Sequence, residues 1–119
     1  MITYHLAARE AWEAQRAGDL YVPETFDRDG FVHCTDGEAA VIDTANRYYQ
    51  GDPRPYVVLT IDTDALSADV RYEDAAQIFP HVYGRIETSA VMDVRVVERA
   101  ADGRFLGISS AAHGPPVDR

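Results

Sequence analysis

Tyr56 to Ile61 is a near-continuous apolar run within a chain of 119 residues. That pattern belongs to a central strand covered on both faces, not to a strand with one wet side. The flanking sequence offers material for both coverings. Ile2 to Leu6, rich in β-branched and aromatic residues, reads as an opening strand. Ala8 to about Ala17 follows with good helix formers, Trp12 as the anchor into the core and Gly18 as the stop. Leu20 to Gly30 carries Pro23, Asp27, Asp29 and Gly30 and reads as a loop, ending where an apolar strand, Phe31 to Thr35, begins. Thr35 or Asp36 is positioned to cap a second helix from about Gly37 to Tyr49, with Ala40, Val41, Thr44, Ala45 and Tyr48 at helical spacing. Gly51-Asp52-Pro53 ends it.

Beyond the central strand, Val70 to Tyr72 reads as a short strand and Glu73 to Gln77 as one helical turn. Ala90 to Arg99 alternates as a strand, Asp102-Gly103 is a hairpin signal, and Phe105 to Ile108 reads as the returning strand. These elements sum to one compact α+β domain over residues 1–108, with two helices early and strands dominating late. Residues 109–119 are expected to be a flexible C-terminal tail.

Composition narrows the function classes. A formal charge of −9 opposes binding to phosphate backbones or anionic lipid surfaces, so neither a nucleic acid nor a membrane is the expected partner, whereas a small molecule is. The single cysteine, Cys34, has no partner for an internal bridge, and Arg9, Glu10 and Glu13 interrupt any secretory or spanning segment, so a cytoplasmic protein is expected. All eleven cationic side chains are arginine, which removes Schiff-base lysine chemistry and a P-loop lysine. An acidic domain of this size is compatible with a monomer or a homodimer.

Three stretches each place one histidine inside an apolar or aromatic run: Tyr4-His5-Leu6, Gly30-Phe31-Val32-His33-Cys34-Thr35 and Phe79-Pro80-His81-Val82-Tyr83-Gly84. If each is extended, a period of two sends Thr3, His5, Phe31, His33, Thr35, Phe79, His81 and Tyr83 to one side. Ile2, Tyr4, Leu6, Val32, Cys34 and Val82 fall on the other, a plain core face. The first face gathers imidazoles, aromatics and a hydroxyl, which suits a pocket. One such histidine is ordinarily a satisfied core or surface residue; three in one phase point to a shared site. Their spacings are long and include no i, i+2 or i, i+4 pair, so a metal centre is not expected. Cys34 points away from His33 and reads as a small buried hydrophobe.

His33 and His81 suit proton donation and acceptance near neutrality, or hydrogen bonding to ligand hydroxyls. Phe31 and Tyr83 offer flat surfaces for a ring, and Tyr21, Tyr48 and Tyr49 can contribute, although Tyr48 on the second helix reads more readily as core. Glu73 reads equally as a first-turn helix residue or a catalytic carboxylate. His113, in the tail, is expected to be idle.

These stretches, together with Trp12-Glu13 and Gly18-Asp19-Leu20-Tyr21-Val22-Pro23, closely resemble the recurring phrases of the bacterial family called domain of unknown function 952, over about residues 2 to 98. Val32 stands where the family has isoleucine, and Tyr72 precedes Glu73 where tryptophan is frequent. The resemblance implies a fold similar to the ADP-ribosyltransferase superfamily, a split, mostly antiparallel sheet clasping a nicotinamide dinucleotide. It implies a first-strand histidine on a ribose hydroxyl, a position that His5 fills, and an aromatic stacked on nicotinamide, for which Tyr83 and Phe31 are candidates. A late glutamate usually orients the chemistry there; Glu73 precedes the third motif, and Glu87 and Glu98 follow it.

The expected function is therefore that of an enzyme acting on NAD or a related nucleotide, by glycosidic cleavage or ADP-ribosyl transfer. His33, His81 and Glu73 would be catalytic, and His5, Tyr21, Phe31, Thr35 and Tyr83 would bind the ligand, with NAD as substrate or ligand rather than a resident cofactor. The alternative is a noncatalytic small-ligand or nucleotide-binding module using the same cleft. A structural reading has the histidines satisfying buried backbone groups.

Overall fold

The central strand expected at Tyr56 to Ile61 is covered on both faces in the computed structural model, which describes residues 1–112. Along the chain the elements are β1 (Ile2–Ala8), α1 (Arg9–Gln15), β2 (Leu20–Tyr21), α2 (Phe26–Asp29), β3 (Val32–His33), α3 (Glu38–Tyr48), β4 (Tyr56–Asp62), β5 (Asp69–Tyr72), β6 (Pro80–Tyr83), β7 (Ile86–Glu87), β8 (Val91–Arg99) and β9 (Phe105–Ala112). Alternate residues of β4 enter different apolar clusters. Val57, Leu59 and Ile61 pack with Trp12, Tyr21, Val32, Cys34 and Val82, whereas Tyr56 and Val58 pack with Val41 and Ala45 of α3 and with Phe105. Full burial of aliphatic side chains of this kind contributes about 1.5–3 kcal/mol each.

Three antiparallel sheets divide the strands: a four-stranded sheet in the order β1-β4-β8-β9, a three-stranded sheet β3-β6-β5, and the pair β2-β7. The backbones of the two larger sheets pair at one isolated bridge. There the Tyr4 amide donates to the Thr35 carbonyl at 2.9 Å, and the Thr35 amide donates to the Tyr4 carbonyl at 2.7 Å. The architecture is α+β and antiparallel, as expected, with three helices rather than two. The additional helix, α2, is one turn inside the stretch read as a loop. It closes because Gly30 adopts the left-handed conformation (φ 78°) and returns its amide to the Phe26 carbonyl at 2.8 Å.

Other local expectations change for identifiable reasons. Glu73 to Gln77 is a turn, not a helical turn: the Asp74 carboxylate accepts the amides of Ile78 and Phe79, and Gln77 has φ 56°. Neither Thr35 nor Asp36 caps α3; Gly37 occupies the cap position, and Asp36 accepts the Tyr72 hydroxyl at 2.6 Å. Tyr48 is 68% exposed instead of core. Leu20–Tyr21 and Ile86–Glu87 are too short to show a period, yet they pair. The Asp102-Gly103 turn does join β8 to β9, with Gly103 at φ 94°. Strand β9 continues to Ala112, into the segment expected to be a tail, and His113 lies outside the described residues.

The expected common face of three histidines does not form. In β1, Thr3, His5 and Ala7 are buried, and Ala7 belongs to the cluster that holds Val32 and Cys34. His5 is thus on the core side, while His33 is exposed and its neighbours Val32 and Cys34 are buried. A period of two relates side chains within one strand. It carries no phase from β1 to β3 and β6, which lie in a different sheet packed against the first.

No helix among the described residues is long and apolar enough to cross a membrane.

Candidate functional site

A cleft of about 590 Å³ opens where the two larger sheets and α3 converge, and His5, His33 and His81 all border it despite their different faces. Its buried members include His5, Tyr21, Cys34, Thr35 and Tyr56. His33, His81 and Phe79 form one side, Thr44, Arg47 and Tyr48 of α3 another, and Arg28, Tyr49, Arg54 and Tyr56 complete the border.

His5 is a hydrogen-bonded core residue at the bottom of this space. Its Nδ1 lies 2.7 Å from the carbonyl oxygen of His33 and its Nε2 lies 2.9 Å from the Tyr21 hydroxyl. Burial lowers its pKa to about 4, so the imidazole is neutral at pH 7. Tyr21 is itself packed edge-on against Trp12, at a ring separation of 5.6 Å.

His33 and His81 are directly opposed across β3 and β6, with ring centroids 5.5 Å apart. Each is held by its own carboxylate. His33 Nε2 lies 2.9 Å from Asp29 Oδ2, and His81 Nδ1 lies 2.9 Å from Glu73 Oε1. The opposite nitrogens, His33 Nδ1 and His81 Nε2, have no protein partner among the described residues. Asp29 also receives Arg28 Nε at 2.9 Å; that guanidinium first, and His33 second, hold its pKa down to about 2. Glu73 accepts the Tyr83 hydroxyl as well as His81, and both bonds, Tyr83 first, lower its pKa. Phe31 stacks on His81 with centroids 3.9 Å apart and planes 16° from parallel.

The expected site residues therefore divide. His5, Tyr21, His33, Thr35 and His81 border the cleft, whereas Phe31, Glu73 and Tyr83 sit behind or beside His81 and fix its ring. Cys34 is 2% exposed, and burial pushes its thiol up to about 12. Among the described residues no group of three His, Cys, Asp or Glu side chains is arranged to hold a metal ion.

Four charged residues escaped the sequence reading. Asp29 and Arg28 lie on α2, and the spacing of four between Asp29 and His33 was their available signal. Arg47 faces the cleft from α3 and has no charged partner among the described residues. Arg54 ties Asp52, Glu24 and Glu10 together at 2.8, 3.0 and 3.1 Å, which pins the loop before β4 to α1 and to the Pro23 segment. No local pattern in the sequence announces that long-range network.

Taken together these features define a small α+β protein with a cleft bordered by paired histidines and arginines. The chain belongs to the family described as "Protein of unknown function (DUF952)", whose model matches residues 6–94. Its fold is similar to that of protein CC0527 from Caulobacter crescentus. The crystal structure of that protein is 24% identical, with a TM-score of 0.74 over 89% of this chain and 94% of that one. The solution NMR structure is 25% identical, with a TM-score of 0.67 over 86% and 89% of the two chains. A double-mutant crystal structure gives 23% identity and a TM-score of 0.74 over 89% and 94%. No curated protein matches the chain.

Proposed function

We propose that the cleft binds a small anionic molecule carrying a flat ring, NAD or a related nucleotide, and that His33 and His81 move protons on it. The observation that carries this reading is the pair of imidazoles side by side, each oriented by a carboxylate through one nitrogen and, among the described residues, without a protein partner at the other. A neutral imidazole so held donates to its carboxylate and keeps a bare nitrogen for a substrate proton; the same ring protonated is an acid. Arg47, with no charged partner among the described residues, supplies positive charge beside the cleft in a chain of net charge −9, which favours an anionic group there. The split of the antiparallel strands into separate sheets, with a backbone bridge between the two larger ones, is compatible with the resemblance to the ADP-ribosyltransferase superfamily from which the nucleotide ligand is proposed. On this reading Glu73 acts through His81, Phe31 and Tyr83 hold that ring in place, and Thr35 meets a polar group of the ligand.

A noncatalytic binding module is the second reading, and one observation favours it. The carboxylates that border the cleft are already engaged: Glu24 by Arg54, and Asp74 by the amides of Ile78 and Phe79. Glu73, the candidate for orienting a ribose, faces His81 and Tyr83.

Titration of NAD, nicotinamide mononucleotide and ADP-ribose into imidazole ¹⁵N-labelled protein tests both readings. Shifts at His33 and His81 are expected, together with glycosidic cleavage that falls about a hundredfold or more in His33→Asn or His81→Asn while binding persists. Binding without turnover would leave the second reading. Unmoved imidazoles with all three compounds would refute both.

A further inference from the structure

We infer that the Tyr21 hydroxyl is a one-way acceptor in the cleft and selects a ligand hydroxyl at that point, with His5 as the positioning residue that enforces the direction. This rests on the nucleotide reading above and assigns its hydroxyl subsite to Tyr21 instead of His5.

The His33 carbonyl oxygen has no hydrogen to give, so the 2.7 Å contact with His5 Nδ1 requires that nitrogen to carry the proton. A buried imidazole that stays neutral then presents a bare Nε2. The Tyr21 hydroxyl, 2.9 Å from Nε2, must donate its only hydrogen there. What Tyr21 retains is lone pairs, and the residue borders the cleft. Both nitrogens of His5 are consumed, so His5 cannot itself hold a ribose hydroxyl without giving up a bond. Turning the Tyr21 hydrogen toward a ligand would leave Nε2 buried and unpaired, an arrangement that costs far more than an ordinary hydrogen bond contributes. A hydroxyl on the ligand satisfies Tyr21; a carbonyl, phosphate oxygen or carboxylate does not.

The chain of three groups also joins the cleft to the strand that carries its reactive histidine, because the terminal acceptor is the peptide carbonyl of His33. Tyr21 is thereby fixed in relation to His33 through a single side chain.

The test uses nicotinamide mononucleotide and its 2′-fluoro and 3′-fluoro analogues, in which fluorine replaces a ribose hydroxyl and cannot donate. In the wild type, one of the two replacements is expected to weaken binding about tenfold. In Tyr21→Phe that same replacement is expected to cost nothing, because the acceptor has gone. Equal tolerance of both analogues by the wild type, or an unchanged penalty in Tyr21→Phe, would overturn the inference while leaving the cleft reading intact. If nicotinamide mononucleotide moves neither His33 nor His81, the cleft reading falls and this inference with it. Should Tyr21→Phe fail to fold, the wild-type imidazole spectrum still decides. A proton on His5 Nδ1 that stays there on binding is the required result, and a proton on Nε2 would reverse the chain and refute it.

Discussion

Replacing His5 by glutamine removes a buried histidine while keeping its two hydrogen bonds available: an amide N–H for the His33 carbonyl and an amide oxygen for the Tyr21 hydroxyl. In the unfolded chain His5 takes a proton near pH 6.5, but in the fold burial delays this to about 4. Between those values the unfolded state holds more protons, so each step down in pH favours unfolding; above pH 6.5 the penalty vanishes. Integrating from pH 7.5 to pH 5 gives a loss of about 2 kcal/mol from this one group. Set against a total stability of about 5–15 kcal/mol for domains in general, that is a large fraction. Urea unfolding followed by circular dichroism at the two pH values is the assay. The wild-type midpoint should fall by about 1–2 M, and the His5→Gln midpoint should move much less. Asp29 does not contribute in this window: held at about 2, it gives stability that is present above its ordinary 3.8 and lost only as the pH falls toward 2. If His5→Gln loses as much stability as the wild type between pH 7.5 and 5, His5 is not the buried neutral base described here.

Cys34 should be unreactive toward a thiol-specific disulfide reagent in the native protein at pH 8 and react fully in urea, since burial keeps it protonated and covered; rapid native labelling would contradict this. Gly103→Ala should destabilise by about 2 kcal/mol in the same urea assay, because φ is 94° there and an added Cβ would stand 2.5 Å from the Gln50 carbonyl oxygen; a neutral substitution would contradict that turn geometry.

The strands and helices that carry their own period were legible. Val57, Leu59 and Ile61 had to be buried somewhere, Trp12 had to anchor its helix, and Asp102-Gly103 had to turn. The elements that escaped are those defined by a partner: Leu20–Tyr21 is a strand only because Ile86–Glu87 lies beside it, and α2 is one turn whose closing signal is a single glycine. The histidines show the same divide. Their presence in the site was readable from the three motifs, but their directions were not. His33 and His81 share a face because β3 pairs with β6, while His5 belongs to another sheet with its own phase. Arg47 was invisible as a site residue because an exposed charge on a helix is ordinary until a fold brings it to a cleft.

The joint between the two larger sheets has a consequence for how the protein can change over generations. Both of its bonds run between peptide groups of Tyr4 and Thr35, and no side-chain atom takes part. Peptide groups are common to all residues, and only proline, which lacks the donor hydrogen, is barred from either position. The Tyr4–Thr35 bridge is therefore indifferent to which side chains stand at its two positions. Mutation can change either side chain at the bridge without breaking it, whereas the His5 contact with the His33 carbonyl and the apolar cluster shared by the two sheets tie the same walls through side chains.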